Sequence, residues 1–145
     1  MNSYFETKVR YSKAMEDGKE KTVTETYIVD GISFTEVEAR IIKEMSVFIS
    51  GDFEVETITK TKYSELVKDT KDSADKWFKC KLMFISLDER NGKEKETAYY
   101  YLVKAGDLEN AKNNINDFMK TSSADYKISS ISETTILDVY EYGTV

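Results

Sequence analysis

The chain is one motif written twice. Tyr4-Phe5, Gly18-Lys19-Glu20-Lys21, Tyr27-Ile28-Val29, Ile41 and Met45 return as Trp77-Phe78, Gly92-Lys93-Glu94-Lys95, Tyr101-Leu102-Val103, Ile115 and Met119. The offset is 73 residues at the first pair and 74 from the glycine onward. It is 73 again near the end, where Phe53, Val55 and Ile58 match Tyr126, Ile128 and Ile131. Identities, apolar positions and turn glycines that recur in one order point to duplication of a folding unit. The second copy therefore carries one extra residue in its first strand or hairpin loop.

Each copy opens on strict alternation. Phe5-Thr7-Val9-Tyr11 share one face against Tyr4-Glu6-Lys8-Arg10, and Phe78-Cys80-Leu82-Phe84 one face against Trp77-Lys79-Lys81, the period of a half-buried strand. Charged, glycine-containing stretches follow at Met15 to Lys19 and Asp88 to Gly92, where glycine supplies the positive φ of a hairpin. Return strands at Thr22 to Val29 and Thr97 to Val103 are rich in Thr, Tyr and Val, which suit a pleated surface. A helix comes next. Ser33-Phe34-Thr35-Glu36 reads as a capping box, with Phe34, Val37, Ile41, Met45 and Phe48 as its apolar stripe. In the second copy Asp107 is the cap and Leu108, Ala111, Ile115, Phe118 and Met119 form the stripe. A third strand follows in each, and its apolar parity shifts before Ile58 and Ile131, as at a β-bulge.

The predicted fold is α+β: two tandem β-β-α-β repeats forming a pseudo-two-fold single domain, with antiparallel sheet and helices packed on it. Short extensions lie at Tyr63 to Val67 and Ile136 to Tyr140. The expected organisation is a first repeat at 1–67, a polar linker at 68–75 and a second repeat at 76–145. Three strands alone leave open sheet edges, and pairing two copies is an economical way to cover them.

Composition narrows the chemistry. Zero histidines and a single cysteine remove most zinc, iron and copper sites and the Ser-His and Cys-His nucleophiles. No phosphate-binding glycine motif is present. Cys80 sits in an alternating apolar run and reads as a small core residue, the alternative being a reactive thiol without a histidine partner. The acid-rich segments Glu36-x-Glu38 and Asp52-x-Glu54-x-Glu56 offer oxygen ligands for Mg²⁺ or Ca²⁺, but their loose spacing equally describes solvated faces. The expectation is a protein that is not an enzyme, with no cofactor, no metal and no membrane partner. No stretch approaches the ~18 consecutive apolar residues of a spanning helix. The first residues lack a basic region followed by an apolar run, so a cytoplasmic location is expected.

One surface pattern suggests a ligand. Tyr4, Lys8 and Arg10, then Trp77, Lys79 and Lys81, project from the outward face of each first strand and set an aromatic ring beside cations. Single-stranded nucleic-acid binders use that pairing to stack bases and neutralise phosphates. Tyr99, Tyr100 and Tyr101 extend the platform. Against this stand a net charge of −6, from 21 basic and 27 acidic side chains, and the common use of edge lysines to block aggregation. The alternative is a protein-interaction or small-ligand-sequestering module of the host-takeover or anti-defence kind, without nucleic-acid binding. A third possibility, a carboxylate enzyme with a divalent metal, would need acids converging from distant segments.

The runs Tyr4 to Tyr11, Tyr27 to Asp30, Ser33 to Arg40, Phe48 to Gly51, Asp75 to Lys79, Ala124 to Tyr126 and Asp138 to Tyr140 carry a resemblance. Together they resemble an uncharacterised family, a domain of unknown function met in Bacteroides and related gut bacteria and in their phages and mobile elements. The resemblance spans nearly the whole chain. It implies a small cytoplasmic protein of bacterial or phage origin and carries no activity, cofactor or catalytic residue onto these positions.

Overall fold

The computed structural model describes residues 2–143. The order of elements is β1 (Ser3–Ala14), β2 (Glu20–Gly31), α1 (Phe34–Phe48), β3 (Phe53–Lys60), β4 (Tyr63–Val67), β5 (Lys76–Leu87), β6 (Glu94–Ala105), α2 (Leu108–Met119), β7 (Asp125–Glu133) and β8 (Ile136–Tyr140). The fold is α+β, as the alternation and the helix stripes predict. Among the described residues no helix is long and apolar enough to cross a membrane.

The duplication reads through into register. β1 pairs antiparallel with β2 and β3, and β5 with β6 and β7, over equivalent residues. The predicted bulges are present: register slips between Lys8 and Val9 opposite β3, and between Lys81 and Leu82 opposite β7. The extra residue of the second copy lies in the hairpin loop, which runs from Asp88 to Lys93 against Met15 to Lys19 in the first. Gly18 and Gly92 adopt φ of 80° and 66° in these loops, a region that costs a side chain but not glycine.

The terminal extensions are strands, and each repeat gives its own away. The two four-stranded sheets run β3-β1-β2-β8 and β4-β6-β5-β7, with β8 parallel to β2 and β4 parallel to β6. Connector length explains the exchange. Since β3 and β2 are both antiparallel to β1, a strand parallel to β2 on the far edge is also parallel to β3. Returning there from the end of β3 requires a crossover of roughly a dozen residues. Only Thr61 and Lys62 separate β3 from β4, and two residues reach about 7 Å. Strand β4 therefore joins the other sheet, and β8, after the equally short Thr134-Thr135, does the reverse. Both turns are built alike: Thr61 donates its N–H and hydroxyl to the Tyr4 carbonyl at 2.9 and 2.7 Å, and Thr134 donates both to the Trp77 carbonyl at 2.9 and 2.8 Å.

The compact units consequently differ from the repeats. Residues up to Thr61 with those from Thr135 onward form one unit, and Lys62–Thr134 forms the other. Thus β4, which the sequence assigns to the first repeat, belongs to the second unit, and β8 to the first. The polar stretch between the repeats is seated on the second unit: Ala74 is buried, and Asp69 accepts from Asn114 Nδ2 at 2.9 Å.

Each unit has its own core between helix and sheet. In the first, Val37, Ile41 and Met45 of α1 meet Phe5, Val9, Tyr27 and Val29, with Tyr140 of β8 packed against them. In the second, Ala111, Ile115 and Met119 meet Phe78, Cys80, Leu82, Tyr101 and Val103. The predicted helix stripes are too long. Phe48 and Leu108 are 69% and 55% exposed because they extend along the stripe beyond the buried stretch, Phe34 keeps one edge against Phe5 at 5.2 Å while 55% exposed, and Phe118 is 38% exposed. The capping box is half formed: Ser33 Oγ accepts from the Glu36 N–H at 3.1 Å, but the Glu36 carboxylate turns to Arg40 at 2.6 Å.

Candidate nucleic-acid interface

Strand parity sorts the nine sequence-predicted residues, Tyr100 among them, onto opposite faces. On β5, Trp77, Lys79 and Lys81 point away from α2 and stand opposite Lys104, Leu102 and Tyr100 of β6. Tyr99 and Tyr101 are opposite Leu82 and Cys80, on the helix side. They cannot extend the lysine face as the sequence reading expected. Tyr101 belongs to the core at 7% exposure, and Tyr99 packs on Phe84 with centroids 4.7 Å apart. Trp77 lies on the lysine face but is 5% exposed, so it offers no ring for a base to stack on.

Tyr100 takes the place those residues leave. It lies 5.0 Å from Lys79 Nζ and 6.0 Å from Lys81 Nζ, within cation–π range of both. Tyr63 of β4 is its neighbour in register on the far side, and Ser130 and Ser132 of β7 stand opposite Lys81 and Lys79. Lys104 Nζ sits 5.8 Å from the Trp77 ring. Lys127, opposite Met83, pairs with Glu96 at 2.7 Å. The face therefore gathers four ammonium groups, the carboxylates Glu94, Glu96 and Asp125 toward one end and the Tyr100 ring, with Leu102 fully buried beside Lys79. The triple-tyrosine run signals an aromatic here, but only the hairpin register selects Tyr100 from the three.

The equivalent face of the first unit differs. Tyr4 stands opposite Asp30, Lys8 opposite Thr26 and Thr57, and Arg10 opposite Glu54 and Thr24. Glu6 occupies the position of Lys79, and Met83 that of Arg10. Glu6 on β1, with Asp30 and Glu54 opposite Tyr4 and Arg10, offsets the cations of the first unit, whereas Lys79 and Lys81 have no acid between them or directly opposite.

The first unit carries instead a polar cluster that sequence patterning does not reveal. Asp30, 4% exposed, accepts the N–H groups of Tyr142 and Gly143 at 2.8 and 2.9 Å and lies 3.4 Å from Arg40. The Arg40 guanidinium also donates to the Asp30 carbonyl at 2.6 Å and covers the Tyr142 ring at 4.5 Å. Further along β2, on the helix side, Glu25 accepts from the hydroxyls of Tyr11 and Tyr27 at 2.8 and 3.1 Å. Burial, then the Glu25 bond, pushes Tyr11 up to about 12, and burial raises Tyr27 further. These phenols stay protonated at neutral pH and act as donors that order the sheet. Burial also raises the Cys80 thiol to about 11, in keeping with a packed core residue. Among the described residues no three Asp, Glu or Cys side chains converge into a metal-binding group.

The fold and this face define a class: a duplicated α+β protein whose two units exchange their last strands and of which one presents a lysine-tyrosine sheet face. The chain belongs to a family described as a domain of unknown function, DUF4494, whose model matches residues 3–142. No curated protein matches the chain, and no solved structure does.

Proposed function

We propose that the protein is a non-catalytic binding protein that holds single-stranded nucleic acid on the outer face of β5 and β6. The observation that carries this reading is the Lys79-Tyr100-Lys81 cluster: a base can lie against the tyrosine while the flanking ammonium groups neutralise adjacent phosphates. The site is local, which reconciles it with a net charge of −6. Lys8, Arg10 and Tyr4 have acidic neighbours and are peripheral in this reading; Tyr101 supports the sheet from the core, and Trp77 is buried on the lysine face under Lys104. The reading extends to a cytoplasmic protein of Bacteroides-type bacteria or of their phages and mobile elements, supported by the sequence runs shared with that family.

Fluorescence anisotropy with labelled single-stranded DNA, RNA and duplex, at low and near-physiological salt, tests the reading. Lys79→Ala with Lys81→Ala should weaken single-strand binding and reduce the salt slope by about two ion equivalents, and Tyr100→Ala should weaken it at unchanged slope. Absence of binding at low salt removes nucleic acid as the ligand. The second reading, a protein-interaction module, is favoured by Val47 and Phe48, adjacent and 79% and 69% exposed at the end of α1.

A further inference from the structure

The internal duplication allows one unit to report on the other. Strands β8 and β4 pair with β2 and β6 in matching register, including the same slip. Arg40 and Asn114 both donate from the helix to the carbonyl of the equivalent residue, Asp30 or Lys104, at 2.6 and 2.9 Å. Residues after β8 and β4 are therefore equivalent one by one: Glu141, Tyr142 and Gly143 correspond to Lys68, Asp69 and Thr70, and Glu44 to Phe118.

In the first unit the space between the exit of β8 and α1 is filled by the chain's own tyrosine. The Tyr142 ring lies under Arg40, and its hydroxyl donates to Glu44. In the second unit the equivalent residue is Asp69, a shorter side chain that accepts from Asn114 and from the Lys71 N–H. An open groove of about 690 Å³ results, lined by Leu66, Val67, Lys68, Lys71, Asn114 and Phe118, among others. Phe118 is 38% exposed and backed edge-on by Tyr101 at 6.0 Å. The volume is in the range of ligand sites, but so open a groove cannot enclose a small free molecule, as such sites do. It suits a ring held in place by a larger chain.

We propose that this groove receives an aromatic side chain of a partner polypeptide, flanked by an acidic residue, much as the first unit receives its own Glu141-Tyr142-Gly143. The ring would lie on Phe118 beside the exit of β4, in the volume that Tyr142 takes in the other unit. The acidic neighbour is taken from the first unit, where Glu141 precedes the inserted Tyr142. Lys68 and Lys71 line the groove beside Asp69 and Asp117, and Lys68 stands where the first unit has Glu141. This site is separate from the Lys79-Tyr100-Lys81 cluster and stands or falls independently of it.

The test is an amide-resolved NMR titration of the full chain with acetyl-Glu-Tyr-Gly-amide, the tail sequence of the first unit. Saturable shifts confined to Leu66 to Lys71, Asn114 and Phe118 are expected. Asp69→Tyr, which supplies the missing ring from within, should weaken binding about tenfold or more, as should Phe118→Ala, which removes the contact surface. Asp69→Asn, of unchanged size, should bind as the parent does. Absence of saturable shifts, shifts spread over the surface, or equal binding by Asp69→Tyr would overturn the proposal. So would an oligothymidylate that moves these amides while the peptide does not, since the groove would then belong to nucleic acid.

Discussion

Replacing Asp30 by alanine tests the way β8 is held in the first unit. The carboxylate is almost fully buried and accepts two backbone N–H groups from the chain beyond β8, besides facing Arg40 and the Asn2 amide at 3.3 Å. A hydrogen bond to a charged acceptor contributes ~1.5–3 kcal/mol. Tyr142 and Gly143 lie at the surface, so their released amides regain water, and Arg40 keeps Glu36. The net loss should be about 2–4 kcal/mol, a large share of the roughly 5–15 kcal/mol of a small protein. Urea unfolding measures the loss, and hydrogen exchange locates it: Tyr142, Gly143 and the β8 amides should lose protection before those of β6. Asp30→Asn, which keeps one acceptor oxygen, should lose about half as much. Lys104→Ala, at the equivalent position of the other unit, should change stability by less than ~1 kcal/mol, being away from any such clip. A loss below about 0.5 kcal/mol for Asp30→Ala, or unaltered protection at Tyr142, would refute the reasoning.

Gly106→Ala should destabilise by about 1–3 kcal/mol, because its Cβ would lie 2.5 Å from the Ser73 carbonyl oxygen, a backbone atom that cannot step aside. The Ala74 amide should then exchange faster, whereas a neutral Gly106→Ala would mean that the 68–75 stretch is not seated. Alkaline unfolding should follow the tyrosines. Burial first of all holds Tyr11 and Tyr140 up at about 12 against an ordinary value of 10.0, so the unfolded chain loses these protons first. Their contribution to stability is complete below pH 10 and falls away as pH rises toward 12. Absorbance at tyrosinate wavelengths should rise with the loss of circular dichroism in that window, and full ionisation of the phenols in a still folded protein would contradict it. The buried Cys80 should resist a disulfide reagent at pH 8 until the chain unfolds. Emission of Trp77, the one tryptophan, should be blue-shifted and hardly quenched by iodide whether or not an oligonucleotide is bound.

The local order of this protein is written in its residues. Alternation fixed β1 and β5 because a strand turns successive side chains to opposite faces, and Ser33 and Asp107 fixed the helix starts because their oxygens take up free N–H groups. The bulges were visible as a parity change, and the hairpin difference as a one-residue change of offset. The stripe residue Phe48 misled because spacing records which side of a helix is apolar, not where the sheet beneath it ends.

The candidate site was half legible. Lysines at alternate positions share a face whatever the partner strand, so Lys79 and Lys81 were found together. Which of three successive tyrosines joins them depends on register with β5, and whether Trp77 is open depends on the burial of a face that its own strand does not control. Asp30 illustrates the rest: two of its partners, the Tyr142 and Gly143 amides, lie more than a hundred residues away, and no local pattern announces them. By itself the sequence determined two ββαβ units, their caps, turns and inner faces, since those follow from steric and hydrogen-bonding rules acting over a few residues. The tertiary structure decided that β4 and β8 change places, that Tyr100 is the ring beside the lysines and that Tyr142 fills a space left open beside Asp69. Each of these depends on strand direction and register between segments far apart in the chain.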